Sequence, residues 1–352
     1  MKIKITGIGS YIPETIVANT DFDKHIFLNE DGSLFGSPNE TIIEKFKSIT
    51  GIEKRRYAAP DQCSSDLAFL ASEKAIENAG IDPDTIDYII FAHNFGDIKY
   101  GTSQSDLVPS LAARVKQKLQ IKNPKCVAYD IIFGCPGWIE GVLQANAYIK
   151  SGMAKRCLVI GSETLSRIID PHDRDSMIYS DGAGATIIEA SDDETGMLAY
   201  ESATFAYEEA GYLFFGKSYS PDLDEDVRYI KMYGRKIYEF ALSQVPAAMK
   251  SCLDQSGLDI NDVKKILIHQ ANEKMDEAII HRFYKLYDKS VPKDIMPMSI
   301  HELGNSSVAT VPTLLDLLIQ GKIENQEIHK GDVVIFASVG AGMNINAFVY
   351  RY

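Results

Sequence analysis

Cys135, His269 and Asn305 stand, in that chain order, at the ends of apolar segments, where they offer a thiol nucleophile, an imidazole and a permanent amide donor. Cys135 follows the apolar run CVAYDIIF and opens the sequence Cys-Pro-Gly-Trp. From Pro136 to Gly152 only Glu140 and Lys150 carry charge. A helix apolar nearly all round is a buried one. Pro136 suits its first position, which makes Cys135 the expected cap. Unpaired amides and the helix dipole there would favour a thiolate. The plain alternative is a buried structural cysteine. His269 ends the run in ILIHQAN, as functional groups at strand ends do; a lone histidine is otherwise a satisfied core or loop residue. Asn305, in HELGNSS, precedes an apolar helix containing Pro312, where its ordinary role is an N-cap. HELGN is not a zinc motif, because HExxH needs histidine where Asn305 stands, so no metal site is expected.

The elements that must position these groups come from an internal repeat. Residues 80–91, GIDPDTIDYIIF, return as GLDINDVKKILI at 257–268, so that Gly80, Asp82 and Ile89 recur as Gly257, Asp259 and Ile266 at an offset of 177. CLVIGS at 157–162 returns as VVIFAS at 333–338, at nearly the same offset. In each copy a helix ends at glycine, as a C-terminus closed by a positive φ requires. The first helix starts at about Ser65 with Leu67, Leu70, Ala71 and Ala75 on one face. The second carries Phe240, Ala241, Val245 and Met249, with a kink expected at Pro246. Continuous apolar strands alternating with helices predict an α/β fold whose sheets are covered on both faces. The division expected is 1–195, carrying the cysteine, and 196–352, carrying the histidine and asparagine. The glycine-rich stretches SDGAGATIIE and TGIGSYIP do not open helices, so they read as turns or close backbone approaches rather than a dinucleotide fingerprint.

Composition sets the outer bounds. A 45% apolar content permits a large core, and a formal charge of −13 argues against nucleic acid or an anionic membrane as the main partner. Five cysteines without a C-x-x-C pair fit a reducing compartment, and the N-terminus lacks an apolar signal region, so a cytoplasmic protein is expected. The longest uncharged run, Val333 to Tyr350, is broken by Gly340, Gly342, Asn344 and Asn346 and reads as two buried strands around a turn. A Cys, then His, then Asn order also suits a papain-like peptidase. That reading would want a C-G-S-C-W type segment and disulfides, and the duplicated α/β pattern fits it badly.

The segments GIGSYIPE, TGIEKRRYA, YDIIFGCPGW, GSETLSRIIDPHDR, YSDGAGATIIE, LIHQAN, LGNSSVATVP and SVGAGMNINAFVYRY together resemble the β-ketoacyl-acyl-carrier-protein synthase III family of the thiolase superfamily. The resemblance implies a thiolase-like fold of two duplicated halves in five αβαβα layers, and a homodimer. It implies that Cys135 takes an acyl group from acyl-CoA or an acyl-carrier protein. His269 and Asn305 would then direct decarboxylation of malonyl-carrier protein, with the amides of Cys135 and Ala341 as oxyanion hole and no tightly bound cofactor. Arg167 resembles the family's nucleotide-contacting arginine. Lys274 and Arg282 resemble basic positions that dock the acyl carrier protein, within a stretch, 264–289, that has two more basic than acidic residues; Glu239 stands where the family often has lysine.

Several positions depart from the family pattern. Lys45 and Ile49 replace the tryptophan and arginine that clamp adenine in acetyl-CoA users, and Phe133-Gly134 replaces two small alanines before the cysteine. The segments 25–40 and 96–106 look like altered loops lining the entrance. The donor is therefore expected to be a carrier-bound or longer acyl group as readily as acetyl-CoA. Two other readings stay open: acyl transfer to an alcohol or amine without decarboxylation, and a silent partner subunit. The His269–Asn305 pair argues against the first, and Cys135 against the second.

Overall fold

The computed structural model describes residues 2–192 and 194–352. The first half runs β1 (Lys2–Tyr11), β2 (Thr15–Ala18), α1 (Asn39–Thr50), β3 (Lys54–Tyr57), α2 (Ser64–Ala79), β4 (Tyr88–His93), α3 (Leu111–Lys118), β5 (Val127–Ile132), α4 (Gly137–Lys150), β6 (Arg156–Thr164) and β7 (Asp181–Ser191). The second runs β8 (Gly196–Thr204), β9 (Leu213–Gly216), β10 (Tyr229–Met232), α5 (Gly234–Ser256), β11 (Val263–Ile268), α6 (Glu273–Lys285), α7 (Ile300–Leu303), α8 (Thr310–Ile319), β12 (Val333–Gly340) and β13 (Asn344–Arg351).

One sheet has the order β1-β7-β6-β4-β5 and the other β8-β13-β12-β11. β4 lies parallel to β6 as β11 lies parallel to β12. β7 is antiparallel to β6 and β1, as β13 is to β12 and β8. Four strands of each half therefore match in order and direction, which is the duplication that the repeat announced. Gly80 and Gly257 close α2 and α5 with φ of 65° and 72°, a conformation that glycine adopts without a Cβ penalty. The Val333–Tyr350 run is β12 and β13 joined by a short turn. Among the described residues no helix is long and apolar enough to cross a membrane.

The period-2 alternation of the strands sorts the core into layers. Ile89 and Phe91 of β4, with Leu158 and Ile160 of β6, pack under α2 and α3, whereas Ile90, Cys157 and Val159 point inward. On β12, Ile335, Ala337 and Val339 pack under α5 and α6, and Val334 and Phe336 point inward. The inward side chains of both sheets meet Trp138, Ile139 and Val142 of α4 and Val311, Leu314 and Leu315 of α8. Helices therefore cover both outer faces and fill the space between the sheets, giving five αβαβα layers. Trp138 is at the centre, its Nε1 donating to Thr186 Oγ1 at 3.2 Å and its ring beside Phe336 and Phe348. Trp138→Ala should cost about 3–5 kcal/mol, read as a lower urea midpoint at unchanged m-value. A loss below 1 kcal/mol would mean that the two sheets do not depend on this contact.

Candidate active site

Cys135 sits in a turn closed by Gly137 N donating to Gly134 O at 2.8 Å, and α4 begins at Gly137 with Pro136 in the cap position. The thiol is thus one residue outside the helix rather than its cap. Against this turn lies the Gly340–Ala341 turn that joins β12 to β13. A Cβ on Gly134 would collide with the Ala341 amide nitrogen, and one on Gly340 with the amide nitrogen of Cys135. Backbone therefore meets backbone here, and the two amides expected to serve as oxyanion donors lie on facing turns. Phe133 does not line the cavity at Cys135, and it is Gly134 that permits this backbone approach.

Burial pushes the Cys135 thiol up to about 11, although a hydrogen bond from Ser307 Oγ at 3.4 Å and the residue's own amide oppose the shift. The resting group is a thiol, and the expected stabilised thiolate is corrected: desolvation outweighs the helix end. His269 follows β11, its amide donating to Ala337 O at 2.9 Å. The residue is 3% exposed, and its Nδ1 has no hydrogen-bond partner. Burial lowers its pKa to about 4, so it is neutral at pH 7. Asn305 is fixed by its backbone, which bonds to Ile178 O and Ser180 N, and by Oδ1 accepting from Ser307 N at 2.7 Å. Asn305 lies one residue ahead of Ser306, the cap position of the 3-10 turn Ser307–Ala309 before α8, so the N-cap role is not its own. With Oδ1 engaged, its NH2 is the side-chain donor left for the cavity that it lines.

Cys135, His269, Asn305 and Ala341 line one cavity of about 200 Å³, walled on its apolar side by Phe95, Leu165, Phe214, Phe215, Ile230 and Met343. The β9–β10 ribbon supplies three of these. Lys231 of β10 is buried and anchors the ribbon by ion pairs to Asp170 at 2.6 Å and Asp173 at 3.0 Å. A second cavity of about 380 Å³ shares Ile178, Met232, Ile237, Ala271 and Met275 with the first, so the two are contiguous. A thiol, a neutral imidazole, an amide and facing backbone N–H groups at the end of an apolar chamber suit acyl transfer through carbon–carbon bond formation.

Comparison with known proteins agrees with this chemistry. A family model described as 3-oxoacyl-[acyl-carrier-protein] synthase III matches residues 129–205, and its C-terminal counterpart matches 253–352. Beta-ketoacyl-[acyl-carrier-protein] synthase III 1 of Vibrio vulnificus (strain YJ016) is 33% identical over 353 residues, covering 100% of both chains. The chain belongs to the 3-oxoacyl-[acyl-carrier-protein] synthase III family. The corresponding enzyme of Staphylococcus haemolyticus is 31% identical over 353 residues, covering 100% of this chain and 99% of its own. The crystal structure of the synthase III of Thermus thermophilus matches with a TM-score of 0.81 at 29% identity, covering 99% of this chain and 98% of that one.

Within the family frame, some expected positions move. Arg167 does not line either cavity: its guanidinium donates to the carbonyls of Ala58 and Ala59 and lies over the Tyr100 ring at 4.8 Å. It holds a loop. The arginine on the wall of the outer cavity is Arg174, seven residues on in the same segment, stacked on Phe35 at 4.5 Å. Lys45 and Ile49 line that cavity too, and Phe35 and Ser37 bring the 25–40 segment to its rim as expected. Residues of the 96–106 segment instead line a separate polar pocket with Cys63 and Arg114. Lys274 and Arg282 are exposed on α6, with Arg282 also donating to Leu242 O at 3.0 Å. Glu239 pairs with Arg235. The sequence alone did not single out Asn94, Ser307 or Arg174, which line these cavities; for Arg174 the available signal was its place at the end of the segment GSETLSRIIDPHDR.

Proposed function

We propose that this protein moves an acyl group from a thioester donor to Cys135 and then joins it to malonyl-acyl carrier protein, with loss of CO2, to give a β-ketoacyl thioester. The observation that carries this reading is the meeting of Cys135, His269, Asn305 and the Ala341 turn on one apolar cavity. In the first half-reaction the Cys135 sulfur bonds to the acyl carbon and the donor's carbon–sulfur bond breaks. Neutral His269 takes the thiol proton and passes it to the departing thiolate, which leaves as a thiol. In the second, the malonyl carbon–carboxylate bond breaks, and the side-chain N–H groups of Asn305 and His269 hold the enolate oxygen. The carbanion attacks acyl-Cys135, the amides of Cys135 and Ala341 hold the new oxyanion, and its collapse expels the Cys135 thiolate, which takes a proton from solvent to return to the thiol. The substrates are acyl-CoA or acyl-carrier protein and malonyl-carrier protein, and no step calls for a tightly bound cofactor.

Intact-mass labelling with acyl-CoAs and acyl-carrier proteins tests the reading. An adduct on Cys135 discharged by malonyl-carrier protein with CO2 release is the expected result. Discharge by alcohols or amines alone would establish a non-decarboxylating acyltransferase, and failure of every donor would point to a silent partner subunit.

The acyl carrier protein is acidic, and its docking is assigned to α6 beside the cavity mouth, with Lys274 and Arg282 as the basic contacts. Lys274→Glu should raise KM for malonyl-carrier protein about tenfold in low salt, leave kcat within twofold, and lose its effect as ionic strength rises. An unchanged KM would move the dock elsewhere. We read the enzyme as a homodimer paired along β5, the edge strand of its sheet, where Val127 and Ile132 are 46% and 69% exposed. Sedimentation at the mass of one chain would refute this.

A further inference from the structure

Three residues outside the pair that handles malonate converge on the nucleophile. Glu163, at the end of β6, is 1% exposed and accepts the backbone N–H of Asn94 at 2.7 Å together with a hydrogen from the Asn94 side-chain amide. The same amide nitrogen donates its second hydrogen to Ser307 Oγ at 3.1 Å. Ser307, held at φ 52° between Asn305 and α8, then directs its own hydroxyl to Cys135 Sγ at 3.4 Å.

At pH 8, where Glu163 is mostly ionised, its chemistry fixes the donor directions. An ionised carboxylate only accepts, so the Asn94 side chain must turn its nitrogen, not its oxygen, toward Glu163. That nitrogen has one hydrogen left, and it points at Ser307. With a lone pair of Ser307 Oγ so occupied, the one hydroxyl hydrogen is free for the sulfur. A sulfur that receives an O–H donor is steadied in one orientation, and its anion is favoured over its thiol. We propose that Glu163, Asn94 and Ser307 form an ordered donor relay that orients the Cys135 sulfur and stabilises it as it becomes the attacking anion.

Ser307 touches the reacting atom, whereas Asn94 and Glu163 act through it as positioning residues. Their contribution is orientation, not charge. The negative charge of Glu163 by itself opposes a thiolate at Cys135. Burial raises the Glu163 carboxyl to about 7, with His93 lowering it and Asp181 raising it, so it is mostly ionised at pH 8. This inference rests on Cys135 being the nucleophile, but its test does not require condensation.

The test is the rate at which iodoacetamide alkylates Cys135 in the full chain at pH 8, with the site read by peptide mass so that Cys63 is counted separately. Ser307→Ala should lower the rate about tenfold, the effect of one hydrogen bond to a charged acceptor. Glu163→Leu should lower it nearly as much and add nothing in the Ser307→Ala background, because both break one chain. Glu163→Gln keeps an acceptor oxygen for Asn94 and should stay within twofold of the wild type. If Glu163→Leu fails to fold, Asn94→Ala interrupts the same relay and should match Ser307→Ala. A wild-type rate in Ser307→Ala, additive losses in the double variant, or a Glu163→Gln as slow as Glu163→Leu would each overturn the relay. Normal alkylation behaviour in a protein that no acyl donor labels would instead overturn the proposed function and leave the relay standing.

Discussion

Cys135→Ala should form no acyl adduct and lose condensation by a factor on the order of 10⁶, the scale seen when a covalent nucleophile is removed. The same variant should still release CO2 from malonyl-carrier protein, because Asn305 and His269 are held by contacts that do not involve the thiol. Asn305 is fixed through Ile178, Ser180 and Ser307, and His269 through the Ala337 carbonyl. Folding should be little changed. The lost sulfur leaves space at the end of a chamber that is already open, not a hole in the packed layers. Two assays separate the half-reactions: intact mass for the adduct, and labelled CO2 for decarboxylation. Loss of both from a folded variant would mean that the enolate donors depend on the thiol, and the division of labour between the two halves of the chain would fail.

The three residues that meet on the cavity stood out in the sequence because each borders an apolar segment, although each position also allowed a purely structural role. The duplicated halves were legible for a similar reason. Gly80 and Gly257 end equivalent helices, and the strands after them keep the apolar run that a sheet covered on both faces demands. What stayed hidden depends on contacts between distant elements. The thiol of Cys135 reads as an activated group when only its own helix is considered. Burial by the rest of the chain, including the Gly340–Ala341 turn, reverses that expectation. Arg167 and Arg174 lie seven residues apart in one motif. Which of them reaches the cavity is decided by the carbonyls of Ala58 and Ala59, which take the first and leave the second to stack on Phe35. Asn94, Glu163 and Ser307 come from three separate elements, and no spacing connects them.

Asn305→Asp should acylate Cys135 at nearly the wild-type rate yet lower condensation by about 10²–10³-fold, the cost of one oxyanion donor. Aspartate keeps an oxygen to accept Ser307 N, so the turn before α8 survives, but it replaces the N–H assigned to the enolate with a negative charge. His269→Gln tests the second donor and carries a pH signature as well. The folded pKa of His269, about 4, lies below the ordinary value of 6.5. As pH falls from 6.5 toward 4 the unfolded chain takes up a proton that the folded chain refuses, and stability drops by about 3 kcal/mol from this group. Glu163 and Asp175, raised to about 7 and about 6, act in the opposite direction, since their cost in the folded state is relieved as pH falls through those values. The stability difference between wild type and His269→Gln isolates the imidazole, because the two carboxyls are common to both proteins. Urea midpoints for the pair should differ by a constant amount above pH 7 and shift in favour of the variant toward pH 4. A difference that is flat across this range would mean that His269 titrates normally, so that at mildly acidic pH it would enter decarboxylation as an imidazolium rather than as the neutral donor assigned to it.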